Sequence, residues 1–297
     1  MTRVSLRRVS FGILPVAAVT LLASAPSAQQ RPLPNQEAFL QETRKHLQTD
    51  YTLQRNYSYV ETRHEQKLDD QGKVTSESVK VIESYPGLPG EGRWERVISE
   101  DGKPTPAAKL EQQDRERQQK AQEYLKRQKA AQAQGTPKED GQVTKARRDT
   151  NASVDDVFRV FDIKMQGREN IDGHDTILFV LTPRPNAEAR TRDGSIMRHF
   201  GVRAWVSEDD YELVRLNAEA IETVPFGLGL VARMHKGARI SFERRKVNEE
   251  VWLPSSVTYA GSARIGLIKV IRRGGVSEFS NYRKFTVDTS TTYSSPR

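Results

Sequence analysis

Apolar and polar residues alternate most regularly between His199 and Phe285. Val202, Ala204 and Val206 alternate with Arg203, Trp205 and Ser207. After an acidic stretch at Glu208-Asp209-Asp210, Val214, Leu216, Ala218 and Ala220 alternate with Arg215, Asn217 and Glu219. A period of two puts one set on a core face and the other toward solvent, the pattern of a half-buried antiparallel sheet. The spacing predicts two strands joined by an acidic turn. KGARISFERRKVNEEVWLPSSVTYAGSARIGLIKVI and VSEFSNYRKFTVD add candidate strands with turn signals between them. Such a meander needs further strands to complete its sheet, or helices to cover its apolar face.

Upstream, Asn35 is placed to cap a helix running to about Asp50, with Phe39, Leu40, Thr43 and Leu47 on one stripe. NYSYVETRHEQKLDDQGKVTSESVKVIESYPG reads as a hairpin with its loop at Asp69-Asp70-Gln71-Gly72, and RWERVISEDGKP as a strand ending in a turn. From Pro106 to Gln134 nearly every residue is a strong helix former, and only Leu110, Tyr124 and Leu125 are sizeable apolar side chains. Pairs such as Glu116–Lys120 and Glu123–Arg127 support a solvated helix. GTPKEDGQ then reads as a linker. An arm that touches a partner and a plain solvent-exposed insertion both fit this region. Ser153 is placed to cap a short helix carrying Val154, Val157, Phe158 and Phe161. Asp172-Gly173 predicts a hairpin, Ile177 to Leu181 a strand covered on both faces, and Asn186 to Ser195 a polar loop.

Charge adds an exported context. The chain carries +8, of which three positive charges, Arg3, Arg7 and Arg8, precede an apolar run from Phe11 to Ala23 and small residues near Ala25 and Ala28. This is the pattern of a secretory signal over residues 1–28, too short in its apolar run to span a bilayer. The expected organisation is that leader, a helix and first strands over 29–104, a charged helical insertion and linker over 105–150, and the remaining strands over 151–297. The mature chain is expected to be periplasmic and soluble, with a mild basic excess that suits peripheral contact with an anionic surface. The sequence has no cysteine, which excludes disulfides, thiol catalysis, thiolate zinc sites and a lipidated cysteine anchor.

Candidate chemistry is sparse. His46, His64, His174, His199 and His235 show no HExxH spacing, and there is no GxSxG elbow. Gly227-Leu228-Gly229 lacks the dinucleotide fingerprint and its strand-turn-helix unit. The runs Arg244-Arg245-Lys246 and Arg272-Arg273 are not interleaved with aromatics, which argues against nucleic acid. No metal, no cofactor and no catalytic residue is expected. One stretch points to a ligand: VPFGLGLVARM at 224–234 sets Phe226, Leu228, Leu230 and Val231 among glycines between two strands. It reads either as a loop gating an apolar cavity or as one tucked onto the sheet.

The phrases GRENIDGHDTILFVLTPRP, VRAWVSEDDYELVRL and ISFERRKVNEEVWLPSSVTYAG, behind a signal peptide and an N-terminal helix, resemble the outer-membrane lipoprotein-sorting carriers of the LolA/LolB-like superfamily. The resemblance covers roughly residues 35–100 and 151–287 and omits the helical insertion. It implies an α+β fold, a half-open antiparallel β-barrel with covering helices, whose apolar cavity takes lipid or the acyl chains of lipoproteins. On that reading the cavity is lined by Val202, Ala204, Val206, Val214, Leu216, Ala218, Ile240 and Phe242, with Phe226 and Leu228 as its gate. The partners are a lipid or acylated lipoprotein. The alternative is an envelope sensor on the same fold, holding a protein partner with the 106–134 arm.

Overall fold

The computed structural model describes residues 31–88, 92–133, 141–226, 232–266 and 269–284. The expected leader, most of the 135–142 linker, and Leu228, Leu230 and Val231 lie outside the described residues. Helix α1 (Gln36–Gln54) begins where Asn35 predicts, the Asn35 side-chain oxygen accepting from the Ala38 N–H at 3.0 Å. Phe39 and Thr43 of its stripe are buried. Strands β1 (Tyr57–Leu68) and β2 (Val74–Tyr85) form the expected hairpin, whose loop is held by Asp69 accepting from the N–H groups of Gln71 and Lys73. Strand β3 (Trp94–Glu100) turns through Asp101-Gly102, at φ 50° and 74°, into the short β4 (Lys103–Pro104). Both turn residues sit in the left-handed region that Asp-Gly reaches at least cost.

The polar run forms helix α2 (Ala107–Ala133), and α3 (Gly141–Val160) follows. Ser153 therefore lies inside α3 instead of capping it. Its hydroxyl donates to Asp193 at 3.1 Å, so it does not compete for the helix backbone. Arg44 and Gln48 of α1, both bonded to Asp155, hold this part of α3 against α1. Strands β5 (Phe161–Ile171) and β6 (His174–Pro183) pair about the predicted Asp172-Gly173 turn. The expected loop at 186–195 closes into a short helix, α4 (Arg192–Met197), because the Thr191 hydroxyl accepts from the Gly194 N–H at 2.9 Å. Strands β7 (Phe200–Ser207) and β8 (Leu213–Ala220) flank the acidic turn as predicted. The expected 224–234 loop is flanked instead by β9 (Val224–Phe226) and β10 (Ala232–Met234), paired with each other. Strands β11 (Arg239–Val247), β12 (Val251–Ile265) and β13 (Lys269–Lys284) complete the described chain.

All the strands join one antiparallel sheet, ordered β4-β3-β2-β1-β13-β12-β11-β8-β7-β6-β5, with the β9–β10 hairpin attached through β10 to β12. The end strands do not pair with each other, so the sheet is open, in an α+β fold. Each long edge is blocked by a glutamine from a helix. The Gln36 amide donates to Ile163 O at 3.1 Å and accepts from Met165 N–H at 2.8 Å, standing in for a neighbouring strand on β5. Gln113 of α2 accepts from Val97 N–H of β3 at 3.1 Å. Blocked edges resist pairing with a second sheet. Strand β6 is covered on both faces as expected: Ile177, Phe179 and Leu181 join the main core, and Leu178 joins a cluster on the opposite side.

Candidate functional site

Residues directly opposite in an antiparallel pair share a face, so the register maps the candidate surface. One row runs Ile163, Leu181, Val202, Ala218, Ile240 across β5, β6, β7, β8 and β11. The next runs Met165, Phe179, Ala204, Leu216, Phe242. Both are wholly apolar, and β12 continues them with Tyr259 and Val257. Phe39 and Leu40 of α1 and Val157 and Val160 of α3 pack on this face. The Phe39 ring lies 5.7 Å from Phe179 and 5.0 Å from Tyr211. Beyond Phe39 and Leu40, α1 is tied down by polar contacts: Gln36 to β5, Arg44 to Asp155, and His46 Nδ1 3.3 Å from Glu212.

Of the sequence-predicted lining, Val202, Ala204, Val206, Leu216 and Ala218 come together under the helices. Phe242 extends the same face, half-buried, and Ile240, between Ala218 and Tyr259 in its row, is 39% exposed. Val214 does not belong to this face. A β-bulge between Trp205 and Val206 pairs Trp205 with Arg215 and Val206 with Leu213, which turns Val214 to the other side. There it packs with Ile171, Leu178, Trp205 and Trp252. On that side Trp205, expected toward solvent, is buried in the same cluster; its Nε1 donates to Glu169 at 2.7 Å, and Arg203 and Arg215 lie over its ring. Phe226 belongs to a separate cluster with Ala220, Val224, Ala238, Ile196, Phe200 and Met234. Leu228 lies outside the described residues.

Phe226 also lines a cavity of about 230 Å³ between α4 and β9, with Pro225, Ile196, Arg192, Arg198 and His199. Phe200, paired with Ala220 one row beyond Val202–Ala218, packs against both its cluster and the main core, so this cavity stands beside the apolar rows. Alternation in the 186–199 stretch gave no hint of it, since the basic residues sit on a loop and a short helix. The capping signal Thr191-x-x-Gly194 was the readable trace.

Buried polar groups lock the surrounding parts. Arg244, nearly fully buried, donates to Leu213 O at 3.1 Å and Glu212 at 3.3 Å, tying β11 to the β7–β8 turn on which His46 also rests. In the same turn Asp210 accepts from Lys246 and from Trp252 Nε1, each at 3.0 Å. Burial alone would raise its pKa, but these bonds outweigh burial and hold it below the ordinary carboxylate value. Asp156 of α3 accepts from the N–H groups of Arg190 and Thr191 and from the Thr191 hydroxyl. They overcome its burial in the same way and lower its pKa. This anchor positions α4. The basic run around Arg244, read from sequence only as unsuited to nucleic acid, thus supplies an internal clamp. Among the described residues no three of His, Asp and Glu gather where they could hold a metal, and no helix is long and apolar enough to cross a membrane.

Solved structures that resemble this chain do so loosely. The chain is similar to solved LolA superfamily proteins. One, from Nitrosomonas europaea, aligns over 86% of this chain and 96% of its own at 8% identity and a TM-score of 0.34. An outer membrane lipoprotein-sorting protein domain from Vibrio parahaemolyticus aligns over 84% and 92% at 8% identity and a TM-score of 0.33. A chain of the Pseudomonas aeruginosa MucA/MucB complex aligns over 84% and 99% at 11% identity and a TM-score of 0.23. No family model and no curated protein matches the chain. Superpositions this loose transfer no residue role, and the side chains above carry the functional reading.

Proposed function

We propose that this chain is an exported periplasmic binding protein that holds the acyl chain of a lipid or lipoprotein on the helix-covered face of its sheet. The observation that supports this is the continuity of the two apolar rows beyond their cover. They reach from β5 under α1 and α3 to Phe242 and the exposed Ile240 on β11, where the apolar face meets solvent. An acyl chain laid along them gains roughly 0.8 kcal/mol per buried CH₂. It has to displace α1, whose apolar hold is largely Phe39 and Leu40, the rest being polar contacts that water can replace. Nothing in this arrangement calls for catalysis.

Binding of cis-parinaric acid, followed by its fluorescence, tests the reading through Ile240→Asn. This side chain is already part exposed, so the fold should survive with a stability change within about 0.5 kcal/mol. A several-fold loss of affinity is expected, and unchanged affinity in a folded variant contradicts the proposal.

A second reading, a protein-interaction module, is favoured by α2. Its first turns are pinned to the sheet, Arg96 bonding Asp114 at 3.0 and 3.1 Å and Arg117 stacking over Tyr85 and Trp94. Leu125 farther along is 53% exposed. Deleting residues 118–133 should leave acyl binding intact and abolish capture of a protein partner if this reading holds.

A further inference from the structure

We infer that the cavity between α4 and β9 is a head-group site, selecting amphiphiles with an anionic phosphate or carboxylate head joined to an apolar tail. The cavity is lined by the apolar Phe226, Pro225 and Ile196 together with Arg192, Arg198, Ser195 and His199. Among the described residues neither arginine is in an ion pair, and the Arg198 side chain donates to Ala187 O at 3.3 Å. The nearby acid Glu222 is occupied by His199, whose Nδ1 lies 2.7 Å from it. The lining therefore presents two arginines that are in no ion pair among the described residues, beside the His199–Glu222 pair. Paired guanidiniums recognise phosphate and carboxylate oxygens through their planar donor fork. A purely apolar ligand would leave them unanswered.

Size sets the rest of the chemistry. A cavity of about 230 Å³ is smaller than the roughly 300–1,000 Å³ of pockets that hold a whole small ligand. A head group and its first few methylenes fill it, and a whole lipid does not. The remaining tail has a continuous apolar course, because Ile196 and Phe226 adjoin Phe200, which in turn packs on the main core. The cavity wall is positioned by buried structure: Asp156 holds Arg190 and Thr191, and Thr191 caps the helix that begins at Arg192 and ends just before Arg198. The head-group assignment stands on the cavity itself and rests on the acyl-binding reading only for the course of the tail.

The test compares three probes by isothermal titration, below their micelle concentrations: dodecyl phosphate, dodecyl maltoside with the same tail and an uncharged head, and inorganic phosphate. The native protein should bind dodecyl phosphate at least about tenfold more tightly than either of the others. The double variant R192Q/R198Q should lose that preference while keeping its affinity for dodecyl maltoside and its circular dichroism. K103Q, which removes an exposed cation on β4 at the far end of the strand order, should keep the preference, separating a site from general basicity. Equal affinity for the two dodecyl compounds overturns the head-group site and leaves acyl binding standing. Inorganic phosphate binding as tightly as dodecyl phosphate shows a free-anion site and overturns the amphiphile. No binding of dodecyl maltoside, with a retained arginine-dependent preference for dodecyl phosphate, supports the head-group site and removes the acyl-carrier reading.

Discussion

The same face of one sheet is built in two ways. From β5 to β11 its rows are apolar and α1 and α3 lie on them. From β13 to β3 the same rows turn polar. Opposite Ser277 stand Arg63, then Lys80 and Glu100, and Glu61 is buried between Ser277, which donates to it at 2.6 Å, and Arg63, which donates twice at 2.7 and 2.8 Å. The bond to Glu61, more than any other influence, raises the Arg63 pKa further above its ordinary value. The covered half draws its stability from displaced water, and the polar half from charge-assisted bonds that must all be satisfied. Only the first kind of surface can exchange its cover for an apolar ligand, because its contacts are non-directional. The comparison therefore says where in the sheet to look for binding.

The largest contrast between the halves should come from aromatic truncation. Phe179→Ala, at the centre of the covered rows, should cost about 3–5 kcal/mol in chemical denaturation. Phe279→Ala, half-buried on β13 against Tyr59, should cost about half that or less. Equal losses would break the distinction. Next comes Gly194→Ala, whose new Cβ would stand 2.2 Å from Asp156 Oδ2. Overpacking against a buried, fully bonded carboxylate should cost about 1–3 kcal/mol and loosen α4, seen as faster amide exchange in 187–198. Arg63→Ala leaves Glu61 buried with the Ser277 hydroxyl and should cost about 1–3 kcal/mol, with no effect on acyl binding. Loss of binding there would move the site to the polar half.

Acid should act on the covered half through its clamps. Asp156 and Asp210 both have native pKa values below the ordinary carboxylate value, so the stability they contribute is present above about pH 4 and is lost as the pH falls through the lowered values. Replacing Asp156 with Asn should flatten that limb of the stability–pH curve; an unchanged limb would assign the acid sensitivity elsewhere.

Much of the fold was legible in the sequence because alternation and turn chemistry are local. Asp172-Gly173, Asp69 to Gly72 and the acidic turn after Ser207 marked hairpins, and Asn35 marked a helix start, all where the structure has them. Legibility failed where tertiary geometry intervened. The bulge beside Trp205 turned Val214 away from the face its spacing assigned to it. Ser153 looked like a cap, and contacts between α1 and α3 absorbed it into a longer helix. Of the candidate site, the rows on β7 and β8 could be read, whereas the helices filling them and the arginines beside them could not. Partners far apart in sequence, such as His46 and Glu212, leave no periodic trace.

The most direct test of acyl binding is native mass spectrometry of the mature protein purified from its own cell envelope, followed by organic extraction. The account predicts a reproducible added mass at fixed stoichiometry that extracts as an acyl lipid or lipoprotein and is lost in Ile240→Asn. A clean mass for the chain alone, unchanged after incubation with lipid, would contradict it.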